Sequence, residues 1–122
     1  MRKLSISLII LTLAIILAAC GGSSGDPARG EEIFTTGGSS SIPCMLCHTL
    51  DGSVLVGPSL QGIGTRGGTL IEGTSAEDYI RQSITSPSAY ITSGYSDAMP
   101  PDYGQLLSEA EINDLIAFLL EQ

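Results

Sequence analysis

The sequence predicts an all-α fold, a small domain of three to four helices joined by long loops. Three observations predict it. Apolar residues recur at helical spacing in three segments, each opened by a residue suited to capping. Glycine and proline gather between those segments. No segment carries a strand signal.

The elements follow in order. Asp26 and Pro27 open the first helix, as N-cap and first helical residue. It runs through Gly30, Ile33 and Phe34 and stops at Gly37-Gly38. Gly37 to Pro43 reads as loop, and Cys44 to His48 as a short helical turn. The glycine-rich stretch from Gly57 to Gly73 reads as irregular. Ser75, with Asp78 three residues on, caps a second helix that places Tyr79, Ile80 and Ile84 on one face. Pro87 ends it. Residues 88–107 read as a long loop around Met99-Pro100-Pro101. Ser108 and Glu111 form a capping box, and Ile112, Leu115, Ile116 and Leu119 follow at helical spacing. Loops this long weaken a small core, but they make sense if they wrap a cofactor.

The N-terminus differs from the rest. Arg2 and Lys3 precede a short apolar run, Leu4 to Leu17, and small residues follow. That is the pattern of a cleaved signal over residues 1–19. The run is shorter than the ~20 residues that usually span a bilayer. Leu17-Ala18-Ala19-Cys20 resembles the lipobox of bacterial lipoproteins, which implies lipidation of Cys20 and a membrane anchor outside the cytoplasm. Residues 20–25 then form a Gly/Ser linker and 26–122 the domain. Removing residues 1–19 takes away two of five basic residues and none of thirteen acidic ones, which leaves three arginines and a net charge of −10. Binding to nucleic acid or to anionic headgroups through charge is therefore excluded.

Cys44-Met45-Leu46-Cys47-His48 is C-x-x-C-H, the attachment sequence of c-type haem. The two thiols add to the haem vinyl groups, and the adjacent histidine lies under the iron. His48 is the sole histidine in the chain, and Cys20 is the sole other cysteine. A thioredoxin-like site expects a βαβ context that the sequence lacks. A structural zinc site wants four ligands, and at most three lie here. A disulfide between residues three apart would be strained. Three methionines are candidates for the far side of the iron. Met1 leaves with the signal, and Met45 sits between the two cysteines. Met99 remains, stiffened by Pro100-Pro101. A thioether at that position favours Fe(II) and suits electron transfer. Arg66, Tyr90, Tyr95 and Tyr103 are weaker candidates for haem propionates or the pocket wall.

From Gly25 to the C-terminus the chain resembles class I, mono-haem cytochrome c. Gly25-Asp26-Pro27-Ala28-Arg29-Gly30-Glu31-Glu32-Ile33-Phe34 resembles that family's first helix, and Phe118 the aromatic facing it from the last. Gly57-Pro58-Ser59-Leu60 resembles its G-P-x-L segment. The resemblance implies that the Pro58 carbonyl accepts a hydrogen bond from His48. Met99-Pro100 resembles the distal ligand segment, and Leu107 to Ile112 the start of the last helix. Ser86 to Met99 also looks like the haem-c domain fused to subunit II of some haem-copper oxidases. The resemblance implies a cytochrome c fold wrapped around one covalently bound haem. It also implies a non-enzymatic, membrane-tethered carrier of single electrons. Its partners would be redox proteins: a quinol-oxidising complex, a terminal oxidase or a photosynthetic reaction centre. A haem-c peroxidase or sensor with a labile Met99 is the alternative. The chain departs from the family in a long segment between Phe34 and Cys44 and in lacking a ring of lysines.

Overall fold

A computed structural model describes residues 25–122. These residues form five α-helices: α1 (Pro27–Thr36), α2 (Ile63–Leu70), α3 (Ala76–Thr85), α4 (Tyr103–Leu106) and α5 (Glu109–Leu120). Three 3-10 turns lie between them, at Gly38–Ser40, Cys44–Leu46 and Pro87–Ala89. No strand occurs among the described residues. The signal segment, Cys20 and linker residues 20–24 lie outside the described residues.

Helix α1 starts where its capping residue predicts. Asp26 Oδ1 accepts the Ala28 N–H at 3.0 Å, and Pro27 occupies the first turn. The helix ends at Gly37, whose φ of 89° is left-handed and favours glycine. Its N–H returns to the Ile33 carbonyl at 2.7 Å.

Helices α1 and α5 cross closely. A Cβ on Gly30 would lie 2.1 Å from the Asp114 carbonyl oxygen, so only glycine permits this approach. One turn on, the Phe34 and Phe118 rings meet at 5.7 Å, tilted by 48°. Asp114 is 8 % exposed at the crossing. It accepts the Asp26 N–H at 2.7 Å and the Arg29 Nε–H at 3.2 Å. A buried carboxylate needs such partners, and here they fasten the start of α1 to the middle of α5.

Helix α5 carries the capping box that its sequence predicts. Glu111 Oε2 accepts the Ser108 N–H at 2.9 Å, while Oε1 accepts the Ser39 N–H at 2.8 Å. One carboxylate thus serves a helix start and the loop after α1. Ile112, Leu115, Ile116, Phe118 and Leu119 are buried, and they form the core with Ile33, Phe34, Ile80 and Ile84.

Two segments differ from the sequence expectation. The stretch from Gly57 to Gly73 is not irregular throughout, because α2 runs through Gly64, Gly67 and Gly68. Glycine is a poor helix former, so packing must supply what propensity does not. A Cβ on Gly64 would lie 2.2 Å from the Leu120 carbonyl, so this glycine lets α2 sit against the end of α5. The stretch 88–107 contains a further helix, the four-residue α4, held by the buried Tyr103. A single turn is too short to show periodicity.

Candidate functional site

Pro43 leads into the 3-10 turn Cys44–Leu46, and the His48 N–H bonds the Cys44 carbonyl at 3.0 Å. This tight turn groups Cys44, Cys47 and His48. Both thiols are half-buried and unbonded to each other. Burial pushes the Cys44 thiol up to about 11. A thiol working in redox exchange needs the opposite shift, because the thiolate is the reactive form. Cys44 is therefore poorly suited to redox turnover as a free thiol.

His48 Nδ1 donates to the Pro58 carbonyl at 2.8 Å. Burial lowers the ring's pKa, partly opposed by this bond, so the ring is neutral at pH 7. A carbonyl can only accept, which puts the proton on Nδ1 and leaves the Nε2 lone pair for a metal.

The loop from Thr49 to Gln61 holds Pro58 in place. The Gly57 N–H bonds the Cys47 carbonyl at 2.8 Å, and the Leu60 N–H bonds the Thr49 carbonyl at 2.7 Å. Arg66 reaches back from α2 to donate to the Ser59 carbonyl, and to the Gln61 carbonyl at 3.0 Å. Gly57 lies against the imidazole, where a Cβ would come 2.5 Å from His48 Cε1.

Cys44, Cys47, His48, Pro58 and Met99 all border one cavity of about 280 Å³. Its remaining wall is mainly Ile, Leu and Tyr, and no Lys or Arg borders it. Met99 is partly buried and packs on the core. Met45 is 49 % exposed and does not border the cavity.

The weaker candidates divide. Tyr90, Tyr95 and Tyr103 line the cavity and Arg66 does not. The guanidinium expected near a propionate is instead bound to loop carbonyls. Tyr103 donates its hydroxyl to the Ile42 carbonyl at 2.9 Å, and burial pushes its pKa up to about 12. That bond ties the long Phe34–Cys44 segment to α4. Tyr90 meets Tyr79 edge-on at 5.8 Å. Sequence reasoning missed the packing of Gly57 against the imidazole and the place of Asp114 at the helix crossing. A lone Asp on an otherwise apolar helical face was the one available signal for Asp114.

These features fit haem c. Two unbonded thiols, a neutral histidine with a free Nε2 and a partly buried thioether share one apolar cavity. A bare metal ion fits less well, since no group of three or more His, Cys, Asp or Glu among the described residues could hold one. Compared with known families, residues 25–119 match the model of the family described as cytochrome c oxidase, cbb3-type, subunit III.

Proposed function

The chain belongs to that family, within the class I, mono-haem cytochromes c, and from this premise we propose that it is a membrane-tethered single-electron carrier whose haem is ligated by His48 and Met99. Cytochromes c of this class carry electrons on covalent haem c, a carrier's role and not an enzyme's. Cys44 and Cys47 provide the C-x-x-C-H site for that haem.

When bound, the haem supplies an iron that alternates between Fe(III) and Fe(II). The chain's residues do the rest. Cys44 and Cys47 hold the group through two thioethers, which persist when the domain opens locally. His48 presents Nε2, oriented by the Pro58 carbonyl, which also makes the imidazole a stronger donor. Met99 would hold the iron as a second protein ligand, through a soft thioether that favours the reduced metal. The apolar wall would exclude water, and an iron held by both His48 and Met99 would be closed to substrate. A peroxidase would need an acid–base group over the iron. Asp97 is the sole carboxylate residue bordering the cavity, and it accepts the Ser88 hydroxyl at 3.0 Å.

The tether is Cys20, lipidated outside the cytoplasmic membrane. Its partners are membrane redox complexes: a quinol-oxidising complex, a terminal oxidase or a photosynthetic reaction centre. The family's description favours the oxidase.

The convergence of Cys44, Cys47, His48 and Met99 on one cavity carries this reading. The test is expression of the full chain with a c-haem assembly system, then denaturing gels of membrane and soluble fractions stained for haem. Stain should travel with the polypeptide in membranes, move to the soluble fraction in Cys20→Ser, and vanish in a Cys44→Ser/Cys47→Ser variant. Extractable haem would refute the attachment, and a soluble wild type would refute the tether.

A further inference from the structure

The segment between α1 and the attachment turn, by which the chain departs from its family, is fastened at two points. At Ser39 it is held to α5, where Glu111 Oε1 accepts both the N–H and the hydroxyl at 2.8 Å. At Ile42 it is held to α4, where its carbonyl accepts the Tyr103 hydroxyl at 2.9 Å across 61 positions of sequence. The Ile42 N–H is itself bonded to Ser40 Oγ at 3.2 Å, so that peptide has a set orientation. The Gly38–Ser40 turn also packs on α4. Two residues after Ile42 comes Cys44, where the haem would be joined to the chain.

Tyr103 stands four residues after Met99. It is 6 % exposed, and it borders the same cavity as Met99, Ile42 and Cys44. The four-residue α4 that carries it is too short to persist on its own hydrogen bonds. It is wedged instead. On one side Tyr103 reaches Ile42, and on the other a Cβ on Gly104 would come 3.0 Å from Thr85 Cα at the end of α3. Between Met99 and Tyr103 lie Pro100, Pro101 and Asp102. Each proline fixes its own φ, so a shift of Tyr103 passes to Met99 with little slack. Before Met99, Asp97 accepts the Ser88 hydroxyl at 3.0 Å. Side-chain hydrogen bonds therefore flank Met99 on both sides.

We propose that Tyr103 is a positioning residue for Met99: by gripping the Ile42 carbonyl, its hydroxyl ties the Met99 segment to the attachment turn and sets how readily Met99 gives up the iron. This rests on the His48/Met99 reading above. The chemistry is a competition between ligands. A soft thioether holds Fe(III) less well than Fe(II), so an added nitrogen donor such as imidazole can displace it from the ferric protein. Displacement requires residues 99–103 to move away. With the hydroxyl in place, that movement breaks the bond to Ile42. Phenylalanine at this position keeps the ring and its packing and removes the bond alone. Ile42 is 38 % exposed, so its freed carbonyl meets water and the fold is spared the cost of an orphaned acceptor.

The test is titration of the haem-loaded ferric protein with imidazole, read by loss of the weak far-red thioether band. In Tyr103→Phe the haem should stay attached and the band should be present before imidazole is added. The apparent dissociation constant for imidazole should fall about fivefold, the scale of one net hydrogen bond. Ile116→Val is the control. Ile116 is buried in α5 and does not border the cavity, and the loss of one methyl group there destabilises the fold to a similar degree. This variant should bind imidazole as wild type does. Equal affinity in wild type and Tyr103→Phe overturns the proposal. So does an equal gain of affinity in Ile116→Val, which would make the effect a general loosening of the fold. Failure of the ligand reading looks different: a wild type with covalent haem and no far-red band removes Met99 from the iron, and overturns both.

Discussion

His48 Nδ1 and the Pro58 carbonyl oxygen lie 2.8 Å apart, ten residues apart in sequence. The bond fixes which nitrogen is free for iron and in which plane the ring stands. The Pro58 carbonyl is itself held from both sides. Gly57 is bonded to Cys47 before it, and Arg66 grips the Ser59 and Gln61 carbonyls after it. Two predictions follow from this frame.

Gly57→Ala should disturb the proximal ring. Its Cβ would come 2.5 Å from His48 Cε1 and 2.9 Å from Nδ1. Backbone or ring must shift, at a cost of about 1–3 kcal/mol. Haem should stay covalently attached, while thermal stability falls and the low-spin spectrum changes. A variant with the wild-type melting curve and spectrum would show that the ring is not packed against this glycine.

Arg66→Lys keeps the charge and removes the two-point grip on the Ser59 and Gln61 carbonyls. A looser Pro58 carbonyl weakens the bond to Nδ1 and makes the imidazole a poorer donor. Fe(III) is then less stabilised, so the midpoint potential should rise. Arg29→Lys, at the Asp114 contact where α1 crosses α5, should leave the potential unchanged. Equal potentials in wild type and Arg66→Lys would mean that the guanidinium does not govern the histidine.

Glu111 links acid sensitivity to the fold. Burial raises its pKa, but hydrogen bonds from Ser108 and Ser39 outweigh this and bring it from 4.5 to about 2. A carboxyl whose pKa is lower in the folded state stabilises above its unfolded pKa and loses that effect as pH falls through the folded one. Glu111→Gln should therefore cost about 1 kcal/mol near neutral pH, the scale of a lost cap. The gap to wild type should shrink below about pH 4.5 and close near pH 2. Denaturant unfolding at neutral and acid pH measures it, and a gap that widens in acid would reverse the sign of the effect.

Where the sequence was legible, the signal was local. Helices α1, α3 and α5 each begin at a side chain that caps its own first turn: Asp26, Ser75 and Ser108. Helix α2 is hidden because its glycines read as loop, and the reason for Gly64 lies in the Leu120 carbonyl, which is distant in sequence. The same division runs through the site. Cys44, Cys47 and His48 are one contiguous motif and could be read directly. Met99 was reached by elimination, and Pro58 by resemblance to a family segment. The contact of Gly57 with the His48 ring, and the turn of Arg66 away from the cavity, arise only from folding. Arg66, a weaker candidate in the sequence, donates to the Ser59 and Gln61 carbonyls and does not border the cavity.

The most direct test of the account is the visible spectrum and midpoint potential of the haem-loaded protein beside its Met99→Ala variant. Wild type should show a sharp reduced α-band and the weak far-red band of thioether ligation in the oxidised state. Met99→Ala should keep its haem through Cys44 and Cys47, turn high-spin or water-ligated, bind carbon monoxide and fall in potential. Met45→Ala should change none of these. A Met99→Ala protein with the wild-type spectrum and potential would contradict the account, for some other group would then hold the iron opposite His48.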